Sequence, residues 1–193
     1  NMKIIIEHLE ENVGRWILAE YRHSYAIAGE DLLITGVEIS GLPSTRKRFY
    51  EVVDVSKVVI LDPQAEEELK PEDLRSCEGV VIGGILGTHP PLGRTKKLLS
   101  DRFPQALKRN IGVYQFSIDG SVYIAREIWR GRRLRDIPVV FGVIIKRTID
   151  NMIHEIMLPY AYPLAGDKPL ISEELLELIA GEKYEISYLK RVS

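Results

Sequence analysis

Short apolar runs alternate with amphipathic segments along the first 130 residues of the chain. The runs MKIIIEH, DLLITGV, KVVILD (57–62) and GVVIGG (79–84) have the length of strands and are apolar on both faces. Between the first two runs, EENVGRWILAEYRHSYAIAG places apolar residues near helical spacing and ends at Gly29. Strands of this kind that alternate with helices predict an α/β fold built on a mostly parallel sheet with helices on both faces.

Four further segments complete the predicted sheet and its helices. STRKRFYEVV follows Pro43 and offers Ser44 and Thr45 as caps, so it predicts a helix. RTKKLLSDRF predicts a helix that Pro104 ends, and QALKRNIG predicts a fifth strand that is less apolar than the others. The stretch from Asp119 to Arg130 is amphipathic and predicts another helix.

The pattern changes from Ile137 onward. VVFGVIIK and MIHEIMLPYAYP predict extended segments, and SEELLELIAG predicts a terminal helix after the polar turn AGDKP. We interpret this short extended and helical tail, about residues 137–193, as a C-terminal extension of one domain that spans residues 1–193.

Composition and charge narrow the classes of function. Hydrophobic residues make up 45% and charged residues 28% of the 193 residues, and no apolar run approaches the roughly 20 residues of a membrane span. Cys77 is the single cysteine and the four histidines are scattered, so we expect no metal site, no disulfide and a cytoplasmic location. The net charge of −2 argues against a nonspecific nucleic-acid coat. The run REIWRGRRLR (126–135) nevertheless holds five arginines, which keeps an anionic partner in consideration.

The loop GGILGTHPP (83–91), followed by GRT, lies at the carboxyl end of a predicted strand, where parallel sheets bind ligands. It is not a phosphate-binding P-loop, because five residues instead of four separate Gly87 from Gly93 and Arg94 replaces the lysine. Pro90 and Pro91 also remove two of the N–H donors that such a loop needs. The fingerprint G-x-G-x-x-G is absent as well.

This loop is instead suited to bring backbone close to a flat, largely neutral ligand. Gly83 and Gly84 allow close approach, although glycines can also serve a tight turn alone. A second glycine-punctuated loop, NIGVYQFSIDG (110–120), precedes the predicted amphipathic helix. Together the two loops predict a site that binds an adenosine-like group through backbone amides and carbonyls.

Three stretches together resemble one branch of the SPOUT methyltransferases: IIEHLEE with Trp16 and Glu20-Tyr21, then ILDPQAEEELKPED, then GGILGTHPPLGRTKKL. This branch comprises predicted RNA methyltransferases and a ribosomal-protein arginine methyltransferase. The similarity runs from residue 2 to about 130 and continues loosely through EIMLPYAY and the terminal helix. The chain departs from the family pattern by a short segment between the second and third strands, and by VYQFSIDG where relatives carry a more polar loop.

The resemblance implies a site for S-adenosylmethionine (SAM), with S-adenosylhomocysteine as its product, formed by the loops of a C-terminal trefoil knot. It also implies either a monomer or a homodimer. The residues that it implies around the cofactor are Asp62, Gly83, Gly84, Ile85, Leu86, Gly87, His89, Pro90, Gly112, Tyr114, Gln115, Phe116 and Ser117.

The acidic groups near the N-terminus suit an arginine as methyl acceptor, because carboxylates can bind a guanidinium fork, orient it and accept its proton. We expect Glu7, at the end of the first strand, to be the first candidate, with Glu10 and Glu20 beside it. Glu10 can instead favour a helix N-terminus through the dipole. His89 is a further candidate base, although it can equally fix the loop by a hydrogen bond.

Three functions remain open. The carboxylates favour transfer to a protein arginine, most directly in a ribosomal protein. The arginines between Arg126 and Arg135 favour contact with RNA phosphates, and thus RNA methylation. A nucleotide-binding or assembly protein without turnover is the third alternative, and the carboxylates beside the cofactor loop count against it.

Overall fold

The computed structural model describes residues 2–87 and 93–192. Within these residues six parallel strands form one sheet in the order β3-β2-β1-β5-β4-β6. The strands are β1 (Lys3–His8), β2 (Leu32–Thr35), β3 (Ser44–Thr45), β4 (Val58–Leu61), β5 (Gly79–Gly84) and β6 (Leu107–Arg109). The predicted parallel sheet is therefore confirmed, and it places the carboxyl ends of β1, β5 and β4 side by side.

Helices cover both faces of this sheet, as the apolar strands predict. Alternate residues of the central strands point to opposite sides, so Ile4 and Ile6 pack with the long helices α1 and α5, whereas Ile5 packs with Phe49 and Leu99. The helices are α1 (Arg15–Ala28), α2 (Phe49–Val52), α3 (Pro71–Leu74), α4 (Arg94–Leu98), α5 (Ile118–Trp129) and α6 (Glu173–Ala180).

The helix predicted from Ser44 is wrong over its first half. Ser44 and Thr45 form the edge strand β3, because the Ser44 hydroxyl bonds the backbone of Ile39 and Leu42 in the preceding turn instead of capping a helix. The helical part begins only at Phe49, where the Arg48 N–H donates to Glu51 Oε2 (2.7 Å).

The tail builds a second, antiparallel sheet in the order β10-β7-β8-β9. Its strands are β7 (Val139–Ile149), β8 (Met152–Ala165), β9 (Lys168–Pro169) and β10 (Glu185–Arg191). The two long extended segments and α6 were predicted, whereas β10 was not. The exposed side chains of β10 lack the alternating burial that marks a strand in sequence.

The two sheets are joined at one end of the molecule. The Ala161 N–H of β8 donates to the Gln115 carbonyl (2.8 Å), and Phe116 forms a parallel bridge with Ala161. Ala19 of α1 belongs to the apolar cluster under the second sheet. No helix of the described residues is long and apolar enough to cross a bilayer. The single-domain division and the trefoil knot stay predictions.

Candidate functional site

A cleft of about 220 Å³ lies at the carboxyl end of the parallel sheet, at the edge predicted from the sequence. Its floor consists of the ends of β4 and β5, and its walls are the segments that follow β5 and β6. Among the lining residues are Leu61, Asp62, Ile82, Gly83, Ile85, Leu86, Gly87, Ile111, Gly112, Tyr114, Gln115, Phe116 and Ile118. The structure therefore brings together nine of the thirteen predicted cofactor residues.

The first wall is the segment from Gly83 to Gly87. Two side chains from elsewhere hold its backbone: the Leu86 N–H donates to Glu10 Oε2 (3.2 Å), and the Tyr160 hydroxyl donates to the Gly87 carbonyl (3.0 Å). A Cβ on Gly87 would lie 2.5 Å from Gln115 Oε1 and 3.0 Å from the Tyr160 ring, so a larger residue there would press on both side chains. His89 and Pro90, both predicted at this site, lie outside the described residues.

Gly84 does not line the cleft, contrary to the predicted close approach to a ligand. A Cβ at this position would lie 2.4 Å from the Tyr21 hydroxyl and 2.9 Å from the Glu7 carbonyl. The glycine therefore allows close packing of the protein against itself, which sequence alone does not distinguish from a ligand contact.

The second wall is the loop from Asn110 to Ser117. Gly112 adopts a φ of +115°, which other residues rarely take, and its N–H donates to Asn110 Oδ1 (3.0 Å). Ser117 ends the loop as the cap of α5, with its hydroxyl accepting from the Gly120 N–H (3.1 Å). These bonds, and the bridge to β8, fix the backbone that faces the cleft.

Asp62 is the buried polar group on the floor of the cleft, with 4% of its surface exposed. One carboxylate oxygen, Oδ1, accepts from the Gln64 N–H (2.9 Å), which closes the turn after β4. A carboxylate in this position can accept hydrogen bonds from the hydroxyls of a ribose.

A second, smaller cavity of about 140 Å³ adjoins the cleft. The two share the walls Ile85, Leu86, Gly87, Phe116 and Ile118. The smaller cavity is otherwise lined by Trp16, Glu20, Ser117, Tyr160 and Tyr162. Aromatic side chains and one carboxylate therefore enclose a space that opens towards the cleft.

Glu20 is the acidic group of this second cavity and is 3% exposed. Its Oε1 accepts from the Ile118 N–H (2.7 Å) at the start of α5, and the Trp16 side chain also bonds it. Burial first, and the nearby charge of Asp119 second, raise the pKa of Glu20 to about 8. A carboxyl group with such a pKa changes charge readily near neutral pH when a cation arrives.

Glu7, the first catalytic candidate from the sequence, lies apart from both cavities. Its Oε1 accepts from the Thr35 hydroxyl (2.7 Å) and the Phe49 N–H (3.1 Å), and its Oε2 lies 3.4 Å from Arg48 Nη1. With 3% exposure and these partners, its contacts favour a structural role at the end of β1. A sequence cannot display such partners, because they come from two segments that lie far from Glu7 along the chain.

Sequence reasoning missed three residues that the structure brings to this region. Tyr160 and Tyr162 line the second cavity from β8, and their alternation in PYAYP was the one available signal. Asp119 was treated only as part of an amphipathic helix, yet it is 1% exposed and influences Glu20. Trp16, named from the sequence only for the family resemblance, is partly buried and lines the cavity. No cluster of metal-ligating side chains occurs among residues 2–87 and 93–192.

The fold is that of the SPOUT class of methyltransferases. A structure of Trm10 from Thermococcus kodakaraensis superimposes with a TM-score of 0.54 at 19% identity, covering 68% of this chain and 94% of that one. At this identity the likeness concerns the fold alone.

Sequence similarity defines the family more narrowly. A profile of the SFM1-like protein arginine N-methyltransferases matches residues 37–185, so the chain belongs to this family. Protein arginine N-methyltransferase SFM1 of Saccharomyces cerevisiae is 30% identical, with 92% of this chain and 94% of the yeast protein covered. Crystal structures of the yeast arginine methyltransferase SFM1 with SAH and with SAM each give a TM-score of 0.79 at 29% identity over 92% of this chain, covering 94% and 89% of the yeast chains.

Proposed function

We propose that this protein transfers a methyl group from SAM to an arginine side chain of a protein, and that the acceptor is ribosome-associated. The observation that carries the proposal is the buried carboxylate of Glu20 in an aromatic cavity that adjoins the cleft. Family membership and the SAM and SAH complexes of the yeast relative support the choice of methyl donor.

The cleft suits an adenosine-containing donor. Apolar side chains from β4, β5 and the second loop offer flat contact surfaces, and the Gly83 and Gly112 backbones leave room beside them. Asp62 would bind the ribose, and the walls Gly83–Gly87 and Gly112–Phe116 would hold the rest of the molecule. When bound, SAM supplies a methyl group on a positively charged sulfur.

The second cavity suits the acceptor. A guanidinium is planar, carries a positive charge and stacks on aromatic rings, which matches a carboxylate enclosed by Trp16, Tyr160 and Tyr162. Glu20, once ionised by the incoming cation, would orient the guanidinium and accept the proton that leaves its nitrogen as the new N–C bond forms. Glu10 contributes by fixing the backbone of Leu86 between the two cavities.

The alternative acceptor, RNA, relies on the arginines from Arg126 to Arg135. Arg132 donates to Glu127 Oε1 (2.8 Å), and Arg133 forms an ion pair with Glu72, so carboxylates already bind two of the five. The described residues that line the second cavity also include no lysine or arginine that could bind a phosphate. These contacts favour the protein acceptor, and the ribosomal partner follows from the resemblance of this branch.

A substitution at Glu20 tests the acceptor site. Glu20→Gln retains the size of the side chain but cannot ionise or take a proton, so we expect kcat/KM to fall at least about 100-fold. Binding of SAM, measured by calorimetry, should stay within about twofold because Glu20 does not line the cleft. Glu11→Gln, at an exposed glutamate in the loop after β1, is the matched control and should be fully active. Full activity of Glu20→Gln would refute the assignment.

The nature of the acceptor is tested with radiolabelled SAM and a ribosome-containing extract. We expect label that survives ribonuclease, is lost to protease and appears as methylarginine after hydrolysis. The Glu20→Gln variant should leave the same extract unlabelled. Label that survives protease and is lost to ribonuclease would establish the RNA alternative instead.

A further inference from the structure

Behind Glu20 lies a second pair of titratable side chains, His23 and Asp119, that the methyl-transfer proposal does not use. His23 follows Glu20 by three residues on α1, so both side chains lie on the same helix face. Ile118 and Asp119 are neighbours in the first turn of α5. Two parallel contacts thus join the helices: Ile118 N–H to Glu20 Oε1 (2.7 Å), and His23 Nδ1 to Asp119 Oδ2 (2.5 Å).

Asp119 is buried far more deeply than a surface ion pair would require. Its side chain is 2% exposed, whereas that of His23 is 21% exposed and reaches the surface. The other oxygen, Asp119 Oδ1, is buried and has no hydrogen-bond partner among the described residues. A carboxylate so placed is costly to hold ionised, unless a cation compensates it.

We propose that His23 is a positioning residue for the arginine site: as an imidazolium it holds Asp119 and cancels its charge, so that Glu20 can ionise when a guanidinium enters. This inference rests on the proposed function. His23 and Asp119 are absent from the linings of both cavities, so they act through Glu20 and need not touch the substrate.

Charge balance gives the physical reason. With an arginine bound, two buried carboxylates face two cations, the guanidinium and the imidazolium, and the cluster is neutral. Without the imidazolium the same cluster carries an excess negative charge, which Glu20 relieves by keeping its proton. Asp119 lies in the first turn of α5, where the helix dipole favours a negative charge.

The other ionisable groups that face Glu20 leave Asp119 as the main charged neighbour. Glu10, from the loop after β1, adds a weaker repulsion than Asp119. Tyr160 and Tyr162, from β8, remain neutral because burial, with Glu20 nearby, raises the pKa of each phenol. Among the described residues, His23 is therefore the basic side chain that contacts this cluster.

Methyl transfer to the arginine forms two bonds and breaks two. The guanidinium nitrogen forms a bond to the methyl carbon, the carbon–sulfur bond breaks with its electron pair going to sulfur, and one N–H proton passes to ionised Glu20. The methylated guanidinium keeps its positive charge, so one proton in total is released. Glu20 must be ionised before each turnover, and the His23–Asp119 pair favours that state.

The test titrates Glu20 directly by NMR of the protein labelled with ¹³C at the glutamate carboxyls. The Glu20 signal is identified by its loss in Glu20→Gln. In His23→Gln, which keeps a hydrogen-bond donor but not the charge, we expect the midpoint to rise by about one pH unit. His154→Gln, at an exposed histidine, is the control and should leave the midpoint unchanged. An unchanged or lowered midpoint in His23→Gln would overturn the proposal.

A second variant keeps the test decisive if His23→Gln folds poorly. Asp119→Asn removes the charge that His23 compensates, so the Glu20 midpoint should fall, and adding His23→Gln to this variant should change nothing further. In activity assays the acid limb of the pH profile of kcat/KM should shift in the same direction as the Glu20 midpoint, with SAM affinity unchanged. The NMR titration needs no substrate, so failure to methylate arginine would refute the proposed function without deciding this inference.

Discussion

Glu7 and Glu20 are both buried glutamates, and their neighbours give them different properties. Glu7 is surrounded by donors from Thr35, Phe49 and Arg48. Glu20 has the Ile118 N–H and the Trp16 side chain, but it also faces the charge of Asp119 and an open cavity. The sequence predicted both as catalytic candidates and ranked Glu7 first. The function that we propose reverses that order, because a carboxylate saturated with donors has little capacity left for a substrate.

The raised pKa of Glu20 predicts how stability depends on pH. In the folded protein this pKa is about 8, against an ordinary value of 4.5, so between these two pH values the folded state holds the extra proton. The protonated form of Glu20 contributes its full stabilisation below pH 4.5, and this contribution is lost as the pH rises through the folded-state pKa of about 8. Between these two pH values the free energy of unfolding falls by roughly 1.4 kcal/mol for each pH unit.

Glu20→Gln removes this dependence, since glutamine does not titrate. We expect the free energy of unfolding of the variant, measured in urea, to increase relative to that of the wild type as the pH is raised from 5 to 8. Above pH 8 we expect no further increase. Unfolding free energies measured at several pH values give the difference directly. Parallel pH profiles for the two proteins would contradict the burial-driven pKa.

At the scale of elements, β8 connects the two walls of the cleft. Tyr160 bonds the Gly87 carbonyl and Ala161 bonds the Gln115 carbonyl, so consecutive residues of one strand hold both segments. The sequence predicted each wall from its glycines, but it gave no reason to place an extended segment of the tail between them. Long-range pairing of this kind is decided by packing and not by local preference.

Gly87→Ala tests how closely these walls are packed. Its Cβ would press on the Gln115 side chain and the Tyr160 ring, so we expect the dissociation constant for SAM to rise roughly tenfold, as overpacking costs about 1–3 kcal/mol. Gly14→Ala, where nothing lies within 4 Å of the added Cβ, is the matched control. Calorimetry measures both, and equal affinities would show that the walls adjust freely.

At the scale of the whole molecule, the parallel sheet supplies the cleft, and the antiparallel sheet supplies Tyr160 and Tyr162 to the adjoining cavity. The bridge between Phe116 and Ala161 is the direct backbone connection to the cleft wall. An SFM1-like chain therefore builds its candidate acceptor cavity from α1, the two loops and β8, which lie far apart in sequence.

Because of this connection, we expect a ligand bound in the cleft to change hydrogen exchange in the second sheet. Addition of SAM should slow hydrogen exchange of the peptide that covers β8, because fixing the loop from Gly112 to Ser117 also fixes its bond to Ala161. Within the described residues β10 pairs with β7 and not with β8, so the peptide that covers β10 should be unaffected. Equal protection of both peptides, or of neither, would contradict this coupling.

The sequence by itself determined the parallel sheet, the edge at which the cleft lies and the exclusion of a phosphate loop. These follow from local patterns: apolar runs, glycines at strand ends and prolines that lack N–H donors. It also carried the family resemblance, which the family match confirms. Only the tertiary structure decided which glutamate faces a cavity and which acidic side chain raises its pKa. The environment of a buried carboxylate is assembled from residues distant in sequence, so local patterns cannot specify it.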